Sequence, residues 1–112
     1  MSGVNLNRRL VLESPEAVAD GAGGYSQSWQ ALGALWAQIV PRSGRQVNGE
    51  TGSVSVTGYQ ITVRGAPVGH SARPKPGQRF IAPGRVFNIE AVTEDKARGL
   101  YLVCHCAEEV SP

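Results

Sequence analysis

The sequence predicts an all-β protein, a small closed or sandwich-like β-barrel of about six strands with long loops. Three observations carry that expectation. Apolar residues recur at every second position through most of the chain, no stretch shows the 3.6-residue period of an amphipathic helix, and turn signals rich in Gly, Pro, Asn and Asp separate the alternating runs. Strands without a helix to cover them must close on themselves or pack as two sheets.

Each element follows in order. "RRLVLES" sets Leu10 and Leu12 on one face and Arg9, Val11 and Glu13 on the other, with Pro15 expected to end the strand. The turn signal "ADGAGG" leads into "GGYSQSWQAL", with Tyr25 and Trp29 at even spacing, so the two runs read as a hairpin. "LGALWAQIVP" carries Leu35, Ala37 and Ile39 on one side and Trp36, Gln38 and Val40 on the other. Apolar residues on both faces predict a central strand. From Val54 to Arg64 the alternation changes phase at Gly58, which predicts a bulge there. Beyond the proline-rich "GAPVGHSARPKPGQ" come "RFIA", "RVFNIEAV" and "LYLVCHC". "PGR" and "TEDKARG" turn between them, with Gly99 expected in the left-handed region. Phe87, Ile89 and Ala91 are expected inside, and Asn88 and Glu90 outside. The aromatics Trp36, Phe80, Phe87 and Tyr101 read as core.

With 112 residues, 41% of them hydrophobic and 18% charged, the chain is expected to be one folded domain over 1–112, with flexible ends at 1–5 and 108–112. No apolar run is long enough to span a bilayer, and "MSGVNLNRRL" lacks the apolar centre of a secretory signal. Synthesis in the cytoplasm and no membrane partner are the expectations. Cys104 and Cys106 alternate onto one strand face with Cα atoms about 6.5 to 7 Å apart, poorly placed for a disulfide, so buried reduced thiols are expected. His105 points the other way, and no second Cys or His pair completes a zinc set.

No catalytic pattern stands out. The glycines of "DGAGG" lack the Lys and Ser or Thr of a phosphate loop, no G-x-S-x-G elbow occurs, and Asp20 and Asp95 both fall in turns. The expectation is a protein that is not an enzyme and has no catalytic residue, cofactor or metal.

The net charge of +2 hides an uneven distribution. From Arg42 to Arg85 the charges are Arg42, Arg45, Arg64, Arg73, Lys75, Arg79 and Arg85 against Glu50, a net +6, and the ends carry −4. Such a middle fits a face held near nucleic acid, a face docked on an acidic protein ring, or solvated arginines. Between two apolar segments lies "VPRSGRQVNGETGSVSV", read as a long polar loop over 42–53.

The order "LNRRLVLESP", "DGAGGYSQSWQALGALWAQIVPRSGRQ", "YQITVR", "RPKPGQRF", "GRVFNIEAV" and "GLYLVCHC" resembles the phage head-tail joining protein family, the head-closure or stopper proteins of tailed phages and phage-like gene transfer agents. The likeness runs from about Leu6 to Cys106, with "LWAQIVPRSGRQ" and "GRVFNIEAV" as its most specific parts. Where the family often carries an acidic residue after "SGR", this chain has Gln46.

The resemblance implies a structural connector in the neck of a virion or phage-like particle, made in the bacterial cytoplasm. It implies a homo-oligomeric ring of sixfold or twelvefold symmetry, with an adaptor or portal ring on the head side and a tail terminator on the tail side. It also implies a loop facing packaged double-stranded DNA in the channel, here Arg42, Ser43, Gly44, Arg45 and Gln46, binding without sequence specificity. Arg42 and Arg45 meet either DNA phosphates or a neighbouring subunit on this reading. Arg73, Lys75 and Arg79 are the expected subunit or ring contacts. A tail-completion or tail-terminator component and a small basic nucleic-acid-binding barrel are the alternatives.

Overall fold

The computed structural model describes residues 3–42, 45–49, 52–56, 58–95 and 99–109, with the backbone alone described for 45–49 and 52–56. Eight strands form: β1 (Arg8–Ala19), β2 (Tyr25–Pro41), β3 (Arg45–Gly49), β4 (Gly52–Val56), β5 (Gly58–Arg64), β6 (Arg79–Ala82), β7 (Arg85–Glu94) and β8 (Tyr101–Glu108). Six of them make one antiparallel sheet in the order β1-β2-β5-β8-β7-β6, and β6 returns to β1 to close it. The described residues contain no helix. The all-β expectation holds, and closure rather than a sandwich is how the edges are removed.

Alternation decides what fills the interior. Leu10 and Leu12 of β1, Ala37 of β2, Ile61 and Val63 of β5, Phe80 and Ala82 of β6, Phe87 and Ile89 of β7, and Leu102, Cys104 and Cys106 of β8 form one buried cluster. Each large aliphatic or aromatic side chain there contributes about 1.5–3 kcal/mol by leaving water. Both cysteines are free and buried, as the strand spacing predicts. Tyr59 meets Phe87 edge to face with centroids 5.3 Å apart.

Several local expectations change, each for a physical reason. Pro15 does not end β1: it pairs with Trp29, and the strand continues to Ala19. Beyond Glu13, β1 has β2 on one side and no described strand on the other, and an edge strand tolerates a residue without an N–H. "GGYSQSWQAL" and "LGALWAQIVP" are one 17-residue strand, β2, which is central as expected because β1 and β5 flank it. The register shifts between Leu12 and Glu13, where Gly33 sits at φ +142° opposite Leu12. That bulge marks where the β1–β2 pair leaves the closed sheet as a two-stranded arm, Glu13–Ala19 against Tyr25–Ala31. Asp20 closes its tip, accepting hydrogen bonds from the backbone N–H groups of Ala22 (2.8 Å) and Gly24 (3.0 Å).

The Val54–Arg64 segment divides into two strands, β4 pairing with β3 and β5 entering the closed sheet at Gly58. Ala91 faces outward rather than inward. A second bulge at Glu90 reverses the phase, so that Val92 packs against the core in its place. Trp36 and Tyr101 are not core either. Trp36 is 57% exposed, and Tyr101 is only half-buried, whereas Phe80 and Phe87 are fully enclosed. Trp36 shares its parity with Gln38, opposite the inward set of Leu35, Ala37 and Ile39.

The proline-rich connection is anchored at several points. Gly65 donates to the carbonyl of Leu100 at 2.8 Å, Pro74 is fully buried, and buried Gln78 accepts from the Lys75 N–H at 2.9 Å. A Cβ on Gly65 would collide with the carbonyl oxygen of Gly99, so the chain needs glycine for that approach. Gly99 itself has φ +70°, as its turn position predicts. Glu108 ends β8 with its carboxylate on Arg85, and Glu109 donates its N–H to Val86 at 2.8 Å.

Candidate functional site

The segment marked out by the sequence leaves the closed sheet at one point and returns at the same point. Arg42, the residue after β2, donates its N–H to the carbonyl of Gly58 at 2.9 Å, and Gly58 opens β5. The Arg42 side chain lies across Gly58, its Cδ 3.5 Å from where a Cβ would stand, while the Cys106 carbonyl approaches the same point to 3.3 Å. The backbone of β3 and β4 then forms an antiparallel ribbon, Arg45 opposite Val56 and Gly49 opposite Gly52. The polar stretch 42–53 therefore holds a β-ribbon on a closed stem.

Of the residues expected to face a channel, Arg42 is exposed at the stem. Arg45 and Gln46 lie in β3, Gln46 opposite Ser55. Ser43 and Gly44 lie outside the described residues. Arg42 makes no ion pair with any described residue.

The three expected subunit contacts sit in different surroundings. Arg79 places its Nε 2.8 Å from Glu13 Oε1 and its guanidinium 3.9 Å above the Trp29 ring, clamping β6 to the base of the β1–β2 arm. Arg73 donates to the Ala66 carbonyl at 2.9 Å and lies 3.6 Å from Glu94. Lys75 is exposed. Arg85 holds Glu108 through two bonds of 2.7 and 3.0 Å and stacks 4.7 Å over Phe87. Its hydrogen bonding keeps the Glu108 carboxyl below the usual range and raises the guanidinium above its own.

These pairs reshape the charge pattern. Arg73, Arg79 and Arg85 of the basic middle each meet a carboxylate from an acidic end, Glu94, Glu13 and Glu108. Of the others, Arg42, Arg64 and Lys75 have described side chains; with Arg8 and Arg9 of β1 they lie on the surface, and none makes an ion pair with a described residue. Arg64 caps Tyr101 at 5.9 Å.

His70 uses Nδ1 to accept from the Ala72 N–H, and the Cys104 and Cys106 thiols are pushed well up by burial, Cys104 to about 12. Thiols so buried and so weakly acidic are poor nucleophiles and poor ligands. Among the described residues no three His, Cys, Asp or Glu side chains gather to hold a metal.

The family model of phage head completion proteins matches residues 1–109. The chain belongs to the phage head completion protein family. A solved structure titled "Virion of native gene transfer agent (GTA) particle" contains a chain similar to this head completion protein, at 45% identity and a TM-score of 0.77 over 96% of this chain and 98% of that one. No curated protein matches it. A head completion protein has a structural role, and the geometry agrees, with side chains spent on clamps and exposed surfaces. Trp36 and the β1–β2 arm are the exposed features not expected from the sequence. Their signals were the shared parity of Trp36 with Gln38 and a β2 segment interrupted between Tyr25 and Val40 by a single glycine, Gly33, and no proline.

Proposed function

We propose that this head completion protein is the stopper in the neck of a phage-like particle. Copies form a sixfold or twelvefold ring between an adaptor or portal ring on the head side and a tail terminator on the tail side. The carrying observation is the 45% identity, over nearly the whole of both chains, to a chain of a gene transfer agent virion. The closed sheet then serves as the rigid frame of each ring subunit, and the β3–β4 ribbon on its Arg42–Gly58 stem is the element reaching toward the channel. Arg42 and Arg45 supply positive charge to the phosphates of packaged DNA without reading its sequence. Such a part performs no catalysis: it seals DNA in, then lets it pass.

The test is nuclease protection of packaged DNA in particles assembled with and without the protein, with tails counted by electron microscopy on the same samples. Filled heads that leak DNA and lack tails are the expected result. Sealed heads with malformed or missing tails would move the protein into the tail and remove the channel role of the ribbon.

A further inference from the structure

The β1–β2 arm extends beyond the closed sheet with little to hold it. A two-stranded ribbon is marginal in water by itself, yet this one keeps both strands paired out to Ala19 and Tyr25, anchored at its base by Arg79. Its apolar side chains are presented to solvent: Tyr25 is 77% exposed and Val18 42%. Pro15, Ala17 and Tyr25, together with Glu16, Ser26 and Gln27, line a shallow concavity of about 310 Å³ on the arm. Its charge is of one sign. Between Leu10 and Pro41 the chain has Glu13, Glu16 and Asp20 and no Lys or Arg. Glu13 is taken by Arg79 and Asp20 by its own turn, which leaves Glu16.

A second surface on the same molecule complements it. Around exposed Trp36, the residues Leu6, Ala34, Leu35 and Arg64 line an open, largely apolar concavity of about 430 Å³. Arg9 stands directly across from Trp36 on β1. Neither Arg9 nor Arg64 makes an ion pair with a described residue. An exposed tryptophan framed by arginines is the composition that dominates protein interfaces.

The two surfaces cannot meet within one molecule. Tyr25 and Trp36 stand on the same strand, roughly 35 Å apart along it at the usual rise per residue. A contact between two different patches of identical chains is heterologous and generates a ring when its rotation closes.

We propose that the acidic β1–β2 arm of one copy docks on the Trp36 face of the next copy, with exposed Val18 against the Trp36 concavity and Glu16, on the same face of the arm as Val18 and Ser26, facing Arg9 and Arg64. The inference rests on the ring reading given above and assigns the subunit contact within it. The arm occupies the N-terminal end of β2 and the β3–β4 ribbon follows its C-terminal end, so an arm gripping a neighbour leaves the ribbon free for the channel.

The test is disulfide trapping in assembled particles, using Ser26→Cys on the arm and Arg9→Cys beside Trp36, which spare both aromatics. The double variant is expected to give a reducible ladder of oligomers on denaturing gels, and each single variant none. Buried Cys104 and Cys106 provide no competing thiol. Separately, without the introduced cysteines and read by native mass spectrometry, Glu16→Arg is expected to lower the oligomer yield about tenfold, and adding Arg9→Glu with Arg64→Glu to restore it. Dimers from the Ser26→Cys single variant would mean arm-to-arm pairing and overturn the proposal. So would trapping to another particle protein, or no trapping in particles that retain the chain. Particles that never incorporate the wild-type chain would defeat the stopper reading instead, and the ladder is then read on the concentrated purified protein, where its absence overturns the arm contact.

Discussion

At the scale of single residues, the two core thiols give the sharpest expectation. Cys104 and Cys106 sit side by side inside the sheet, and desolvation holds both neutral well above the ordinary thiol value of 9.0, Cys104 up to about 12. The unfolded chain loses these protons near pH 9 while the folded chain keeps them, so the unfolded state binds fewer protons and stability falls with rising pH. The contribution is fully present below pH 9 and is lost progressively toward pH 12, on the order of 1 kcal/mol per pH unit for each thiol. Denaturant titrations at pH 8 and pH 10 should show the drop, and a Cys104→Ala/Cys106→Ala variant should flatten it. An unchanged slope in that variant would assign the alkaline loss to other groups. Alternation alone put these two side chains on one face. Their depth depended on Ile61 and Ile89 arriving opposite them across β5 and β7.

At the scale of elements, the arm depends on its base. Arg79 reaches from β6 to both Glu13 and Trp29, joining the last strand pair of the closed sheet to the first residues of the arm. Replacing it by methionine keeps some packing but removes the ion pair and the cation–π contact, at a cost of about 1–2 kcal/mol. The arm contains Tyr25 and Trp29, so chymotrypsin cleavage there reports on its order. Arg79→Met should accelerate that cleavage several-fold while the melting temperature drops by only a few degrees. If cleavage is unchanged, the arm is held by its own pairing and the clamp is incidental. "RFIA", "RVFNIEAV" and "LYLVCHC" were legible as strands because alternation and turn signals bound them, although the bulge at Glu90 that turns Ala91 outward was not. The β1–β2 hairpin was legible from its "ADGAGG" turn, but not its continuation as an arm, because Pro15 reads as a terminator until the open edge beside it is known.

At the scale of the whole molecule, the radius of gyration is 16.0 Å, against about 13 Å for a compact chain of this length. The excess fits elements that project from the closed sheet, and those are the ones assigned to contacts. In the proposed ring, Arg42→Ala with Arg45→Ala leaves the core untouched. The purified variant should melt within a few degrees of wild type, since neither position belongs to the buried cluster and changes outside it seldom exceed about 0.5 kcal/mol each. Its particles should lose nuclease protection of packaged DNA, most strongly at high salt, where phosphate contacts are already weakened. Full protection in particles that contain the variant would remove the ribbon's arginines from DNA retention.

By itself the sequence determined that this protein is all-β, that Phe80, Phe87 and Ile89 of the short strands face inward, that its cysteines are reduced and buried, and which family it resembles. Those properties follow from a period of two and from local turn chemistry, both written along the chain. Only the tertiary structure decided that the sheet closes through β6 on β1, that Arg73, Arg79 and Arg85 are matched by carboxylates from the chain ends, and that Trp36 stands in solvent. The physical reason is that these depend on which strands become neighbours. A run of arginines reads as a basic patch until the closure of the sheet brings Glu13, Glu94 and Glu108 within bonding distance of it.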